Sequence, residues 1–120
     1  LLAASSCRNA IPAESERRPS TAAYEQALRF PGCGAALLWS RQIDALGLRR
    51  LQLACEAGGT LGLLFRPGEC AAQASPAALR LLLTPRPADG LLDVSILKCR
   101  GSPRARECSL PLADGLVHAE

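Results

Sequence analysis

A chain of 120 residues has room for one domain with a hydrophobic core and is too short for two domains of ordinary size. Hydrophobic residues make up 48% of the chain and aromatic residues only 3%, so the predicted core is aliphatic and stacking on bases is not expected. The net charge of +3 neither requires nor excludes an acidic partner. Every apolar run is shorter than the roughly 18 residues that a membrane-spanning helix needs, so a cytoplasmic protein is expected.

Residues 1–20 are predicted to form a disordered or divergent arm outside the folded domain. The opening Leu-Leu-Ala-Ala run is too short for a signal-peptide core, and no basic region or initiator Met precedes it, so a truncated or frameshifted start is expected. Residues 5–20 mix Ser, Pro and charges of both signs without periodicity. Order is therefore predicted to begin near Ser20, with an α/β domain over 21–112 and a flexible tail over 113–120.

The first half of this domain predicts a helix followed by a strand-helix-strand unit. An apolar stripe at helical spacing predicts a helix over 21–29. The continuous apolar run 35–39 is typical of a strand buried on both faces, as in parallel sheets. A second helix is predicted from the N-cap Asp44 to the stop signal Gly58-Gly59, directly before another apolar run at 61–65. Two strands joined through a helix in this way are expected to be parallel.

The second half predicts an antiparallel β-hairpin. Residues 66–76 are interpreted as a loop with few side chains that could pack in a core. The segments 79–84 and 92–99 are predicted strands, and in the second one Leu, Val and Ile alternate with Asp and Ser, which indicates a half-buried strand. An Asp-Gly turn signal lies between them. A short last strand is predicted over 109–112.

No motif in the sequence predicts catalysis, a metal site or a cofactor. A phosphate-binding loop, G-x-x-x-x-G-K-[ST], needs a lysine after glycine, but the single Lys98 follows Leu97. The six cysteines form no C-x-x-C pair and His118 lies far from most of them, so free thiols are expected. The Gly32-Cys33-Gly34 stretch begins like a dinucleotide fingerprint, but it precedes a predicted strand where that motif would follow one.

One local cluster of charge stands out near the end of the hairpin. Four cations fall within nine residues: Lys98, Arg100, Arg104 and Arg106. Such a cluster could contact phosphates or an acidic protein, or it could be a solvated strand end and tail, and the sequence leaves both interpretations open. Trp39, at the end of a predicted strand, is interpreted as the edge of the core.

Four stretches together form a familiar pattern: EQALRFPGCGAALLW (25–39), LRRLQLACEAGGTLGLLFRP (48–67), SPAALRLLL (75–83) and LLDVSILKCRG (91–101). Over residues 21–112 the chain resembles the C-terminal half of the ImuA family. This family is RecA-like, is also grouped with the SulA cell-division inhibitors, and is associated with SOS-induced translesion DNA synthesis. It acts alongside a Y-family-like partner and an error-prone polymerase.

The resemblance implies a partial, degenerate RecA-like core. In it, residues 35–39 correspond to the strand that ends in the magnesium-binding acid of active recombinases, and the present sequence has no acid there. Residues 61–65 correspond to the next sheet strand, and 91–100 to the hairpin strand whose cationic end includes Lys98 and Arg100. The N-terminal half, which would carry the phosphate loop and further sheet strands, is not matched by any part of this sequence.

The function implied by the resemblance is that of a non-catalytic accessory protein of SOS-induced, error-prone DNA repair. It would act through protein–protein contacts with an ImuB-like polymerase partner and an error-prone DNA polymerase, with the RecA filament or DNA as further candidates. The alternative is a SulA-like cell-division inhibitor that binds FtsZ through a different surface. An active ATP-dependent recombinase ranks last. Because strands 35–39 and 61–65 are apolar, the isolated chain is expected to expose apolar surface and to associate or depend on a partner.

Overall fold

A single six-stranded mixed sheet organises the protein, with two helices packed against it. The computed structural model describes residues 1–6, 21–102, 104 and 106–112. The elements in chain order are β1 (Leu2–Ser6), α1 (Thr21–Arg29), β2 (Ala35–Trp39), α2 (Ala45–Gly58), β3 (Leu61–Pro67), β4 (Leu79–Arg86), β5 (Leu91–Cys99) and β6 (Arg106–Pro111). Two short 3-10 helices, Gly68–Ala72 and Pro87–Asp89, flank β4. The predicted α/β class is confirmed. None of the described helices is long and apolar enough to cross a membrane.

The strand order is β2-β3-β1-β4-β5-β6. The first four strands in this order are parallel to one another. β5 is antiparallel to β4, and β6 is antiparallel to β5. The predicted parallel pairing of β2 with β3 and the predicted antiparallel hairpin of β4 with β5 are therefore confirmed. We call β2, β3 and β1 the parallel half of the sheet, and β4, β5 and β6 the antiparallel half.

Both helices begin and end at the positions the sequence predicted. The carboxylate of Asp44 accepts a hydrogen bond from the backbone amide of Gly47 at 2.7 Å, which satisfies one of the free amides in the first turn of α2. Gly59 follows the last residue of α2 and caps the helix; its φ of 64° is a left-handed conformation that glycine adopts without strain. α1 spans the predicted 21–29.

The two helices pack against each other and cover one face of the parallel half. Gly58 permits this approach, because a Cβ at that position would collide with the carbonyl oxygen of Leu28. The fully buried large side chains are Leu28, Leu51 and Leu64, one from each helix and one from β3. Burial of each such side chain stabilises the fold by about 1.5–3 kcal/mol. The hydrophobic core therefore lies between α1, α2 and the parallel half.

The first residues of the chain differ from the prediction of an arm. Order was predicted to begin near Ser20, but Leu2–Ser6 is a central strand of the sheet, paired in parallel with β3 on one side and with β4 on the other. Ala3 and Ala4 are buried. The five residues, a leucine, two alanines and two serines, show no helical or strand periodicity, which is why the sequence pattern missed the strand. The rest of the predicted arm, 7–20, and the predicted tail, 113–120, lie outside the described residues.

Three further predictions need correction. Strand β2 is not buried on both faces, because alternate residues in it are exposed, and in β3 also burial alternates along the strand. Residues 66–76 are not an unpacked loop, since Arg66 and Pro67 belong to β3 and Cys70 is 4% exposed. The last strand is Arg106–Pro111, longer than predicted, because it pairs along β5 over six residues. In each case contacts with residues distant in the sequence, and not the local sequence pattern, determine the structure.

Candidate partner-binding face

The sheet face opposite α1 and α2 is built almost wholly from apolar side chains. Side chains alternate between the two faces along a strand, and the strand registers align them across the sheet. Leu37, Leu63, Leu2 and Leu79, for example, stand side by side in one row. We call this surface the open face. Its apolar residues, from all six strands, are Leu37, Trp39, Leu61, Leu63, Phe65, Leu2, Ala4, Leu79, Leu81, Leu83, Leu92, Val94, Ile96, Cys108 and Leu110.

Several of these side chains are strongly exposed. Leu37 is 49% exposed, Leu61 52% and Leu110 48%, which places exposed leucines on both edge strands and on β3 beside one of them. Leucines 63, 79, 81 and 83 are half-buried by their neighbours on the same face. Soluble monomers rarely expose a continuous apolar surface of this extent, and such surfaces commonly mark binding sites.

The opposite surface of the antiparallel half carries polar side chains beside Leu82 and Leu91. There the guanidinium of Arg86 lies 2.8 Å from the carboxylate of Asp93, and the hydroxyl of Ser109 donates to that carboxylate at 2.6 Å. The Ser109 hydrogen bond and the Arg86 charge hold the pKa of Asp93 below its ordinary value. Ser95 donates in the same way to Glu107 on β6. Over residues 92–96, strand β5 therefore places Asp93 and Ser95 on the helix side and Leu92, Val94 and Ile96 on the open face.

An aromatic pair lies near the carboxyl ends of β2 and β3. Trp39 and Phe65 are register partners, and their rings stack with centroids 4.9 Å apart and planes 13° from parallel. Trp39 remains 46% exposed, so it is more accessible than the core-edge residue the sequence indicated. Large aromatic side chains held rigidly on a binding surface contribute much of the affinity in protein interfaces.

The predicted basic cluster is divided by the fold. The Lys98 ammonium donates to the carbonyl of Ser75 at 2.8 Å, and the Arg100 guanidinium lies 3.5 Å from the carbonyl of Pro76. Both side chains therefore fix the segment before β4 to the helix side of the sheet. Arg106 lies on the open face, in register with Ile96, and Arg104 is exposed beside it. The reversal of the chain between β5 and β6 places these two pairs apart.

Arg106 is the one charged residue among the described strand positions of the open face. Sequence analysis had not assigned a role to this face, although the alternation of apolar and polar residues in β5 indicated that one side of that strand is covered. The alternation in β5 predicted that one side of the strand is covered. It could not predict which face of the sheet that side belongs to, because the sequence does not say on which face the helices lie.

The described residues contain no group of three or more His, Cys, Asp or Glu that could hold a metal ion. The five described cysteines, at 33, 55, 70, 99 and 108, are free thiols, and Cys7 lies outside the described residues. Tyr24, beneath β2 and β3, shares its hydroxyl proton between the carbonyls of Ala36 and Leu63, and burial raises its pKa well above the ordinary value. Its hydroxyl is thus a structural tie between α1 and the sheet.

Comparison with known proteins gives no relative: no protein-family model, no curated protein and no solved structure matches this chain.

Proposed function

We propose that this chain belongs to a non-catalytic accessory protein of SOS-induced translesion DNA synthesis, and that its open face binds a partner protein. The observation that carries the proposal is the opposite polarity of the two sides of β5 over residues 92–96. A strand with Leu92, Val94 and Ile96 on one side and Asp93 and Ser95 on the other is the pattern of a sheet whose apolar side packs on protein. That side is the open face.

The cellular role rests on the resemblance of residues 21–112 to the ImuA family. The order of a helix, a strand, a second helix, a second strand and a hairpin supports a partial RecA-like core, as this family has. The proposed partners are the Y-family-like, ImuB-like protein and the error-prone polymerase, in the cytoplasm. The RecA filament or DNA is a further candidate for the exposed Arg104 and Arg106.

The width of the open face indicates what kind of surface it takes. Neighbouring strands lie about 4.8 Å apart, so six strands span about 24 Å. An α-helix with its side chains is about 10–12 Å across, so two helices side by side would cover this width. On the other face α1 and α2 pack against each other over the three strands of the parallel half. We therefore propose that the partner supplies amphipathic helices whose apolar stripes pack on the open face.

The charge on this face adds one feature to the partner. Arg106 begins the edge strand β6 opposite Ile96, and both Arg106 and Arg104 are exposed. A helix that packs across the antiparallel half would bring an acidic side chain close to these two guanidinium groups. Such a pair at the rim of an interface sets orientation and association rate more than affinity.

Titration of the full chain with the ImuB-like protein tests the proposal, with two matched pairs of variants. Trp39→Ala is expected to weaken binding by about 2 kcal/mol, roughly thirtyfold in Kd, because it removes an exposed aromatic anchor. Phe30→Ala is the control, since Phe30 is 63% exposed but lies outside the open face. Val94→Asn should weaken binding while Ser95→Asn, on the opposite side of the same strand, should not.

Equal affinities within both pairs would show that the open face is not the binding surface. Binding to FtsZ with loss of FtsZ polymerisation, and no binding to the ImuB-like protein, would instead support the SulA-like alternative. As a non-catalytic protein, the chain is expected to show no ATPase activity above background, with or without single-stranded DNA. Turnover that stays with the protein through purification would contradict this part of the proposal.

A further inference from the structure

Strand β2 forms one edge of the sheet, and no described strand pairs with its outer side. The amide of Leu61 donates to the carbonyl of Gly34 at 3.1 Å, and the amide of Ser40 donates to the carbonyl of Phe65 at 3.0 Å. In the parallel register of β2 with β3, these two bonds mean that the even-numbered residues of β2 bond to β3. The amides and carbonyls of the odd-numbered residues, 35, 37 and 39, therefore point away from the sheet. A row of such groups is a template for one more strand.

The two edges of the sheet differ in how they are protected from pairing. β6, at the other edge, contains Arg106, Glu107 and Pro111, and charged residues and proline are common means of keeping an exposed edge unpaired. β2 reads AALLW, with no charge and no proline, and its register with β3 is unbroken. Its outward residues are nonetheless exposed, Leu37 by 49% and Trp39 by 46%. β2 therefore has the composition of a strand that is paired on both sides.

We propose that the outer edge of β2 pairs with the same edge of a second copy of this chain, antiparallel and about a two-fold axis at Leu37. In this register Leu37 lies opposite the partner's Leu37, and Ala35 lies opposite the partner's Trp39. Each of these pairs exchanges two backbone hydrogen bonds, so every outward amide and carbonyl of the strand is satisfied. The carbonyl of Ala35 accepts only a weak bond from the Cys33 thiol, at 3.4 Å, and keeps a second lone pair for the new strand.

Side-chain size favours a second copy of β2 over an unrelated strand. Residues directly opposite each other in an antiparallel pair lie on the same face, with Cβ atoms about 4.5–5.5 Å apart. On the open face, the small Ala35 lies beside the partner's Trp39. On the helix side, the small Ala36 lies beside the partner's Leu38. β2 is small at its start and large at its end, so a reversed copy places an alanine beside each of these two large side chains.

This dimer leaves the open face accessible. A two-fold axis perpendicular to the sheet keeps both open faces on the same side of one continuous sheet, with six strands from each copy. Trp39, stacked on Phe65, then lies near the centre of the joined surface. The dimer is formed by the backbone edge of β2, whereas the proposed partner protein packs on side chains of the open face. The two proposals are therefore independent of each other.

Sedimentation equilibrium of the full chain tests the proposal. A weak dimer, with a Kd on the order of 10 μM, is expected for an interface of this small size. Leu37→Lys and Leu37→Glu should each weaken dimerisation by at least about tenfold, because each places two like charges opposite each other at the axis. An equimolar mixture of the two variants should dimerise again, since lysine then lies opposite glutamate. Leu46→Lys is the control, because Leu46 is an exposed leucine of α2, away from the edge.

A disulfide crosslink at the axis gives a second measurement. In Leu37→Cys the paired residues would have Cα atoms about 5.5 Å apart, within the range that a disulfide spans, so oxidation should give a covalent dimer on a non-reducing gel. Leu61→Cys is the matched control. Leu61 is 52% exposed on the same face but lies one strand inside the edge, at least about 14 Å from its copy. It should crosslink no more than the native chain, which has the same native cysteines.

Four results would overturn the proposal. The first is a native chain that stays monomeric at about 100 μM, ten times the expected Kd. The second is a Leu37→Lys variant that dimerises like the native chain. The third is failure of the lysine and glutamate variants to dimerise when mixed. The fourth is equal crosslinking of Leu37→Cys and Leu61→Cys, which would show that copies associate through the open face and not through the edge of β2.

Discussion

The two halves of the sheet differ in how their apolar side chains are covered. In the parallel half, α1 and α2 cover one face and enclose the core, so that Leu64 and Ala3 are buried. In the antiparallel half neither α1 nor α2 packs on the strands, and the helix side carries a polar network around Asp93. Most apolar side chains of that half lie on the open face, and Leu82 and Leu91 lie on the helix side. Polar and apolar residues therefore alternate in β5 as well, although α1 and α2 cover only the parallel half.

This difference predicts where the stability of the chain resides. The parallel half has buried leucines, two helices and close backbone approaches, whereas the antiparallel half relies on strand pairing and on half-buried side chains. Side-chain truncations in the two halves, and on the two faces, should therefore have unequal effects.

The largest effect is expected at the centre of the core. Leu64→Ala should lower the free energy of unfolding by about 2–5 kcal/mol, because the fully buried side chain leaves a cavity between the helices and β3. The matched control, Leu37→Ala, removes the same atoms from a side chain that is 49% exposed on the open face, and it should cost less than about 1 kcal/mol. Urea denaturation followed by circular dichroism measures both. Equal costs would show that the open face is covered in the isolated chain.

The second effect concerns association of the isolated chain. Replacing Leu61 and Leu110 together by Gln should reduce binding of a hydrophobic dye and shift the size-exclusion profile toward the monomer, because both leucines are exposed on the open face. The control replaces Leu46 and Leu53 by Gln, since these are comparably exposed leucines on α2. A native chain that is monomeric and binds no dye would contradict the statement that the open face of the isolated chain is an exposed apolar surface.

A third, smaller effect tests the helix cap of the parallel half. Asp44→Ala should destabilise the fold by about 1 kcal/mol, because the amide of Gly47 loses its acceptor and α2 begins less firmly. Asp89→Ala, in the turn of the antiparallel half, removes only an exposed ion pair with Arg86 and should cost less than about 0.5 kcal/mol. Thermal unfolding of both variants under identical conditions gives the difference. A larger loss in Asp89→Ala would contradict the assignment of stability to the parallel half.

Elements with a strong local signal could be predicted from the sequence. The cap of α2, its glycine stop, the parallel pairing of β2 with β3 and the β4–β5 hairpin all follow from side-chain spacing and turn residues. What could not be predicted depends on distant neighbours. Strand β1 is five residues without a period, and only its insertion between β3 and β4 makes it a strand.

The candidate sites show the same limit. Four cations close in sequence were grouped, but the sheet sends Lys98 to the helix side and Arg106 to the open face. The edge position of β2 could not be predicted either, because an apolar run of this kind also fits a strand inside the sheet. The order of the strands is a property of the assembled fold.

The smallest effect is the pH dependence of the polar network in the antiparallel half. The Ser109 hydrogen bond and the Arg86 charge lower the pKa of Asp93 in the folded chain below the ordinary value of 3.8. The charged form therefore stabilises the fold at pH values above the ordinary pKa, and this contribution is lost as pH falls through the lowered pKa. Asp93→Asn resembles the protonated residue, so its melting temperature should lie below that of the native chain at pH 6, and the gap should close as pH falls below about 4. Ser109→Ala removes the hydrogen bond that lowers the pKa of Asp93 most, and it should give a smaller gap with the same direction. Because Asp93 lies at the solvent-facing surface, salt should reduce the effect, whereas a gap that is independent of pH would show that the carboxylate acts through shape and not through charge.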